Sequence, residues 1–285
     1  MSAPDAPAPS DPAPAPAAAT TPAAAPPARQ LRMFGIKDIF TTINVMGGAI
    51  AICLCIDNRP FAAGIAIMLG YLCGDAIDGM VARKLGTQNE FGAEYDTIAD
   101  HLAHCIAPGA IVYTVYRGAD LGLSPRVTHW LAIALGSSIM VAASIRHARN
   151  IIHPVKFKGI WAGLPRSVLG FMALAYANSR LFTTGPGGLW VGVVLIPLLG
   201  VATLTYLPFP NHHMTRKFQW YTRLAISLFL LSTIGVLVLY PDLVFDVFFF
   251  WMFGYSTGAW ITLTPEERKN FRAAVRLALA TKPAK

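Results

Sequence analysis

The sequence predicts an all-α integral membrane protein of about eight transmembrane helices with both termini in the cytoplasm. Three observations predict it. Of 285 residues, 54% are hydrophobic and only 13% charged, too few charges to cover a soluble surface. The apolar residues fall into long runs separated by short polar breaks, and lysine and arginine gather at alternate ends of those runs.

Residues 1–28 hold 9 prolines and 12 alanines and nothing that could form a core, which predicts a disordered tail. The basic start and unbroken apolar run of a signal peptide are missing from it. Residues 29–38 mix Leu31, Met33, Phe34 and Ile36 with Arg29, Arg32 and Lys37, as an interfacial segment would. Apolar runs follow at about 39–57, 60–83, 92–116, 127–146, 164–183, 188–208, 219–240 and 242–262, and together they predict a membrane domain over 39–262. Residues 263–285 form a basic cytoplasmic tail. Thr264-Pro265-Glu266-Glu267 matches a capping box with proline at the first helical position, so a helix should follow.

With a cytoplasmic N-terminus, every lysine and arginine except Arg59, Arg117, Arg126 and Arg180 lies on the cytoplasmic side. The positive-inside rule therefore supports this span count and orientation, in an inner (cytoplasmic) membrane. The same placement accounts for the net charge of +8 without a nucleic acid partner. Cys53, Cys55, Cys73 and Cys105 all sit in apolar runs and should be reduced, packed thiols.

One stretch departs from the apolar background: GDAIDGMVARKLGTQNEFGAEYDTIAD, residues 74–100. Asp75 and Asp78 are three apart near the cytoplasmic end of the second run. Asp96 and Asp100 are four apart near the cytoplasmic start of the third. Both spacings put paired carboxylates on one helix face, and a short loop makes the helices antiparallel neighbours. Four carboxylates at a membrane edge repel one another and are costly to desolvate. Arg83 and Lys84 cannot neutralise them alone. Divalent cations can, and carboxylates without thiolates favour hard ions such as Mg²⁺ or Mn²⁺. Gly79, Ala82 and Gly92 leave room for a flat ligand against backbone.

The pattern Asp75-x-x-Asp78-Gly79-x-x-Ala82-Arg83, eight further residues, then Gly92-x-x-x-Asp96-x-x-x-Asp100 resembles the CDP-alcohol phosphotransferase signature at every specified position. The resemblance implies that Asp75, Asp78, Asp96 and Asp100 hold a metal pair and that Gly79, Ala82, Arg83 and Gly92 line the CDP site. It implies that Asp100 is also the general base, that CDP-diacylglycerol is the donor, and that the chain is a homodimer; the predicted orientation puts the site at the cytoplasmic face. Asn44, a polar residue in the first run, is a candidate nucleotide contact.

Within the family the chain is most similar to bacterial phosphatidylserine synthases, on stretches 40–48, 56–69 and 91–108, on Arg146-x-x-Arg149-Asn150 and on Gly163-Leu164-Pro165. This implies transfer of a phosphatidyl group to a small alcohol, with serine as the first acceptor. Two departures bear on that choice: Ala103-His104-Cys105 stands where those synthases carry a Ser-Phe-Gly-like or Asn-Phe-Gly-like triplet, and Arg149 runs straight into Asn150 where they have Arg-Phe-Asn. Choline, as in the bacterial phosphatidylcholine synthases, is the runner-up; inositol phosphate and glycerol 3-phosphate are further acceptors. His104, one turn after Asp100, could touch the acceptor, tune Asp100, or pack as a core histidine. His101 points about 100° away and should be structural. Arg146, Arg149 and Arg166 are candidates for an acceptor carboxylate or a lipid phosphate. A metal or proton transporter is the non-enzyme alternative, but a relay needs acids spread through the membrane depth.

Overall fold

Asp38 sets the start of the first helix. Its Oδ2 accepts the Gly35 N–H at 2.7 Å, so an amide left open by the helix gains a partner and the positive end of the helix dipole gains an anion. Helix α1 runs Ile36–Ile56. The chain turns back at Asn58, whose φ is +59°, into α2, Pro60–Gly70. The structure is a computed structural model that describes residues 35–75, 90–155, 157–185, 187–211 and 219–280, all within the compact unit Met33–Lys285. The predicted disordered tail at 1–28, most of the interfacial segment, and Asp78, Gly79, Ala82 and Arg83 of the signature lie outside the described residues.

Helix α2 widens into a π-helical turn, Tyr71–Asp75. Helix α3, Glu90–His101, passes through a second π-turn, Leu102–Ile106, into α4, Ala107–Arg117. Helix α5 spans Pro125–Ile152, followed by α6 (Arg166–Asn178), a short α7 (Arg180–Thr183) and α8 (Gly188–Leu204). Helix α9 (Gln219–Leu239), a 3₁₀ turn at Pro241–Leu243, α10 (Val244–Thr262) and α11 (Pro265–Ala280) complete the described chain.

Helix α6 is the centre of the core. Every residue from Val168 to Ala177 is buried, the pattern of a helix enclosed on all sides, and α4, α8 and α10 pack around it. The outer helices are apolar outward as well. On α8, Val191, Val194, Leu198 and Val201 recur every three or four residues and are 58–60% exposed. In water such a stripe loses the stabilisation that burial would give; against lipid it does not. Lys37–Ile56 and Pro125–Ile152 are long and apolar enough to cross a membrane, and Pro60–Asp75, Gly188–Leu204 and Leu224–Leu239 are shorter apolar helices.

Two features depart from a plain set of helical runs. The run at 164–183 breaks at Ser179, whose backbone is extended. Its buried hydroxyl accepts the Phe182 N–H and donates to Asp246 of α10, and Asp246 also takes the Leu181 N–H at 3.0 Å. Side chains thus cap α7 inside the protein. The other departure is a two-stranded antiparallel ribbon, β1 (Ile160–Ala162) with β2 (Pro208–Pro210), pairing Trp161 with Phe209. Prolines at 208 and 210 argue against a strand in the sequence; here β2 has a single partner strand and two of its three positions need no N–H. Phe271 of α11 packs with Ile160 and Ala162 against this ribbon, and the Thr264–Glu267 capping box starts α11, with bonds of 3.0 and 3.2 Å. All four cysteines are free thiols.

Candidate active site

Two π-turns and the first helix build the site. A π-turn places one extra residue in a helix, opening its backbone ladder and rotating everything that follows. The second π-turn has a visible cause. Pro108 has no N–H to give the His104 carbonyl four residues back, and the Ala107 N–H reaches Leu102 instead, five back. Helix α6 crosses at this point through Gly170, where any Cβ would collide with the His104 carbonyl and touch Pro108. The first π-turn lies on α1 in the same manner: a Cβ on Gly74 would stand 2.6 Å from the Phe40 carbonyl and 2.7 Å from the Asn44 nitrogen.

Helix α3 is held to α1 by polar contacts. The buried Lys37 ammonium donates to the Gly92 carbonyl at 3.0 Å, and the Thr42 and Tyr95 hydroxyls meet at 2.9 Å. These fix the height of Asp96 and Asp100 against the turn that carries Asp75.

Among the described residues, ligand atoms of Asp75, Asp100 and His104 lie within 4.8 Å of one another. Asp100 Oδ2 accepts from Arg166 Nη2 at 3.1 Å. Asp100 Oδ1 is 3.3 Å from His104 Nδ1, yet neither atom has a hydrogen-bond partner among the described residues. The His104 side chain is 1% exposed, with its ring edge-on to Phe171 at 4.8 Å and to Tyr71 at 6.0 Å. Asp96 Oδ1 is also buried, one turn before Asp100.

The other sequence candidates spread around this point. Asn44 is 1% exposed, and neither atom of its amide has a hydrogen-bond partner among the described residues. Arg166 bridges Asp100 and His147 Nδ1, the latter at 3.2 Å. Arg146 is buried, with Nη2 at 3.4 Å from the Gly163 carbonyl. Arg149 gives its guanidinium to the Leu204, Thr205 and Ala162 carbonyls at 2.6, 3.1 and 3.2 Å, and stacks on Tyr206 at 4.5 Å. His101 points away to Ser144 at 3.1 Å. Lys37, Tyr95 and His147 belong to the same network and carry no signal in the sequence beyond their polarity.

The donor set suits a divalent cation. Two carboxylates from different helices and a buried imidazole converge, and the partnerless buried Oδ1 of Asp100 and ring nitrogens of His104 would otherwise carry a desolvation penalty. The arrangement can bind a cation beside an anion-binding arginine and can take up a proton at Asp100.

A family model described as CDP-alcohol phosphatidyltransferase matches residues 35–204. The chain is 28% identical to the CDP-diacylglycerol–serine O-phosphatidyltransferase of Helicobacter pylori over 207 residues, 70% of this chain and 80% of that protein. Over 183 residues it is 27% identical to the protein of the same name from Methanocaldococcus jannaschii, 63% of this chain and 77% of the other. An archaetidylserine synthase of Methanothermobacter thermautotrophicus is 33% identical over 81 residues, 28% of this chain and 34% of that protein.

Proposed function

The chain belongs to the CDP-alcohol phosphatidyltransferase family, and on that premise we propose that it transfers a phosphatidyl group from CDP-diacylglycerol to L-serine, giving phosphatidylserine and CMP. The observation that carries the reading is the meeting of Asp75, Asp100 and His104 within 4.8 Å, beside Arg166 at 3.1 Å from Asp100. The similarity to CDP-diacylglycerol–serine O-phosphatidyltransferases supports serine as the acceptor.

Asp75, Asp78, Asp96 and Asp100 would hold two divalent ions, Mg²⁺ or Mn²⁺, which would neutralise charge on the donor pyrophosphate and the leaving CMP. Asp100 takes the proton of the acceptor hydroxyl. The hydroxyl oxygen forms a bond to the phosphatidyl phosphorus, and the bond from that phosphorus to the CMP oxygen breaks, its electron pair leaving with CMP. By the family signature, Gly79, Ala82, Arg83 and Gly92 would line the cytidine side. Asn44 would join them, since its buried amide is unsatisfied and its backbone and Cβ lie against Gly74 of the turn that carries Asp75. Arg166 and the buried Arg146 make the surroundings of Asp100 cationic, with His147 accepting from Arg166 as a neutral imidazole. A cationic wall favours an acceptor with an anionic group, such as serine, over choline. Arg149 is the more distant acceptor candidate, its guanidinium being occupied by three carbonyls. The eight spans, the cytoplasmic termini and site, and a homodimer complete the proposal; the one-sided placement of lysine and arginine supports the orientation.

The test is CMP release by purified protein from CDP-diacylglycerol with Mn²⁺ or Mg²⁺, offering serine, choline, inositol, inositol phosphate or glycerol 3-phosphate. Release with serine alone, absent in Asp100→Asn, is the expected result. Release with another acceptor would change the product, and no release with any would remove the reading.

A further inference from the structure

We propose that His104 is a protein ligand of the metal site through Nδ1, making it a mixed oxygen–nitrogen site rather than one of carboxylates alone. The proposal rests on the metal-dependent reading above and adds a residue to it. Position 104 lies in the Ala103-His104-Cys105 triplet, where the chain departs from the synthases it resembles.

Three roles are open to a histidine one turn after Asp100, and the structure separates them. An acceptor contact needs access, but the His104 side chain is 1% exposed and Phe171 and Tyr71 close against its ring. A hydrogen bond that tunes Asp100 would pair Nδ1 with Oδ1, and at 3.3 Å both atoms remain without a hydrogen-bond partner among the described residues. Neither ring nitrogen has a hydrogen-bond partner among the described residues. A buried imidazole with both nitrogens unsatisfied is costly as a purely structural residue.

Coordination removes that cost at Nδ1. Adjacent donors on an octahedral shell of about 2.1 Å radius are about 3.0 Å apart, and opposite donors about 4.2 Å. The His104–Asp100 separation of 3.3 Å, with Asp75 inside the 4.8 Å group, is close to that shell and needs movements of only tenths of an ångström. The π-turn supplies the register: the residue added before Pro108 sets the direction of the His104 ring, and α6 at Gly170 locks the turn.

A nitrogen donor shifts selectivity. Mg²⁺ binds oxygen almost exclusively, whereas later divalent ions accept imidazole. The unmodified site should therefore prefer Mn²⁺ over Mg²⁺ by more than a His104→Phe site does, by about tenfold or more. Phenylalanine keeps the aromatic packing and removes the donor.

The decisive measurement is pulsed electron paramagnetic resonance of the full-length protein in nanodiscs, loaded with Mn²⁺ and no substrate. Expected is a directly coordinated ¹⁴N coupling that converts to a ¹⁵N pattern when histidine is ¹⁵N-labelled. It should vanish in His104→Phe and His104→Gln. The labelled unmodified chain gives the answer even where a variant fails to fold. Bound Mn²⁺ without nitrogen coupling, or coupling that persists in both variants, overturns the assignment of His104 and leaves the enzyme reading standing. Absence of any stoichiometric Mn²⁺ binding overturns both.

Discussion

Asp100 is the residue on which the other groups converge. Its two oxygens meet different partners, Arg166 on one side and His104 on the other, so it is held for proton uptake from a defined direction. Replacing it with asparagine removes the base while keeping the shape. Steady-state CMP release should fall by about 10²–10⁴-fold, with a melting temperature within a few degrees of the unmodified protein. Arg166→Gln separates two uses of the guanidinium. A rise in the acceptor KM larger than the fall in kcat identifies an acceptor-binding arginine; a fall in kcat alone identifies one that positions Asp100. The sequence made Asp75, Asp78, Asp96 and Asp100 legible because their spacing is helical and local. Arg166 was legible only as one of several cations at a membrane edge, since its partner is 66 residues away.

At the scale of elements, the π-turns matter more than the helices they interrupt. Pro108→Ala restores a donor for the His104 carbonyl and favours an ordinary α-helical turn there. Stability should be unchanged or higher, yet CMP release should drop about 10²-fold, since a displacement near 1 Å is enough for that. Thermal melting and the release assay, run on one preparation, check both halves. The ribbon makes a contrasting prediction. Arg149 ties the end of β1 to the chain leaving α8 through three carbonyls. Arg149→Ala should lower stability by about 3 kcal/mol, the scale of hydrogen bonds to a charged group, seen as a lower melting temperature. An unchanged melting temperature with a raised acceptor KM would instead place Arg149 at the acceptor. Neither the π-turns nor the ribbon was legible in the sequence: one extra residue per turn leaves the apolar run unbroken, and three-residue strands rich in proline resemble loops.

Across the whole molecule, two properties follow from charge and composition. Chelation with EDTA should abolish CMP release, and Mn²⁺ or Mg²⁺ should restore it. A fluorescent protein fused after Lys285 should fluoresce, and a periplasm-dependent phosphatase fused there should be inactive, as a cytoplasmic C-terminus requires. The membrane class is a sum over many residues, so composition points to it without coordinates, and the placement of lysine and arginine is what carries the proposed orientation. The sequence likewise singles out the signature aspartates by their local spacing; of these, Asp75 and Asp100 meet in the structure and Asp78 lies outside the described residues. Only the tertiary structure decided that His104 turns toward Asp100, that Arg166 reaches it from α6, and that the amide of Asn44 is buried without a partner among the described residues. The reason is geometric. A single inserted residue rotates all that follows by about 100°, and whether it is inserted depends on a proline, a glycine and the helix that crosses them.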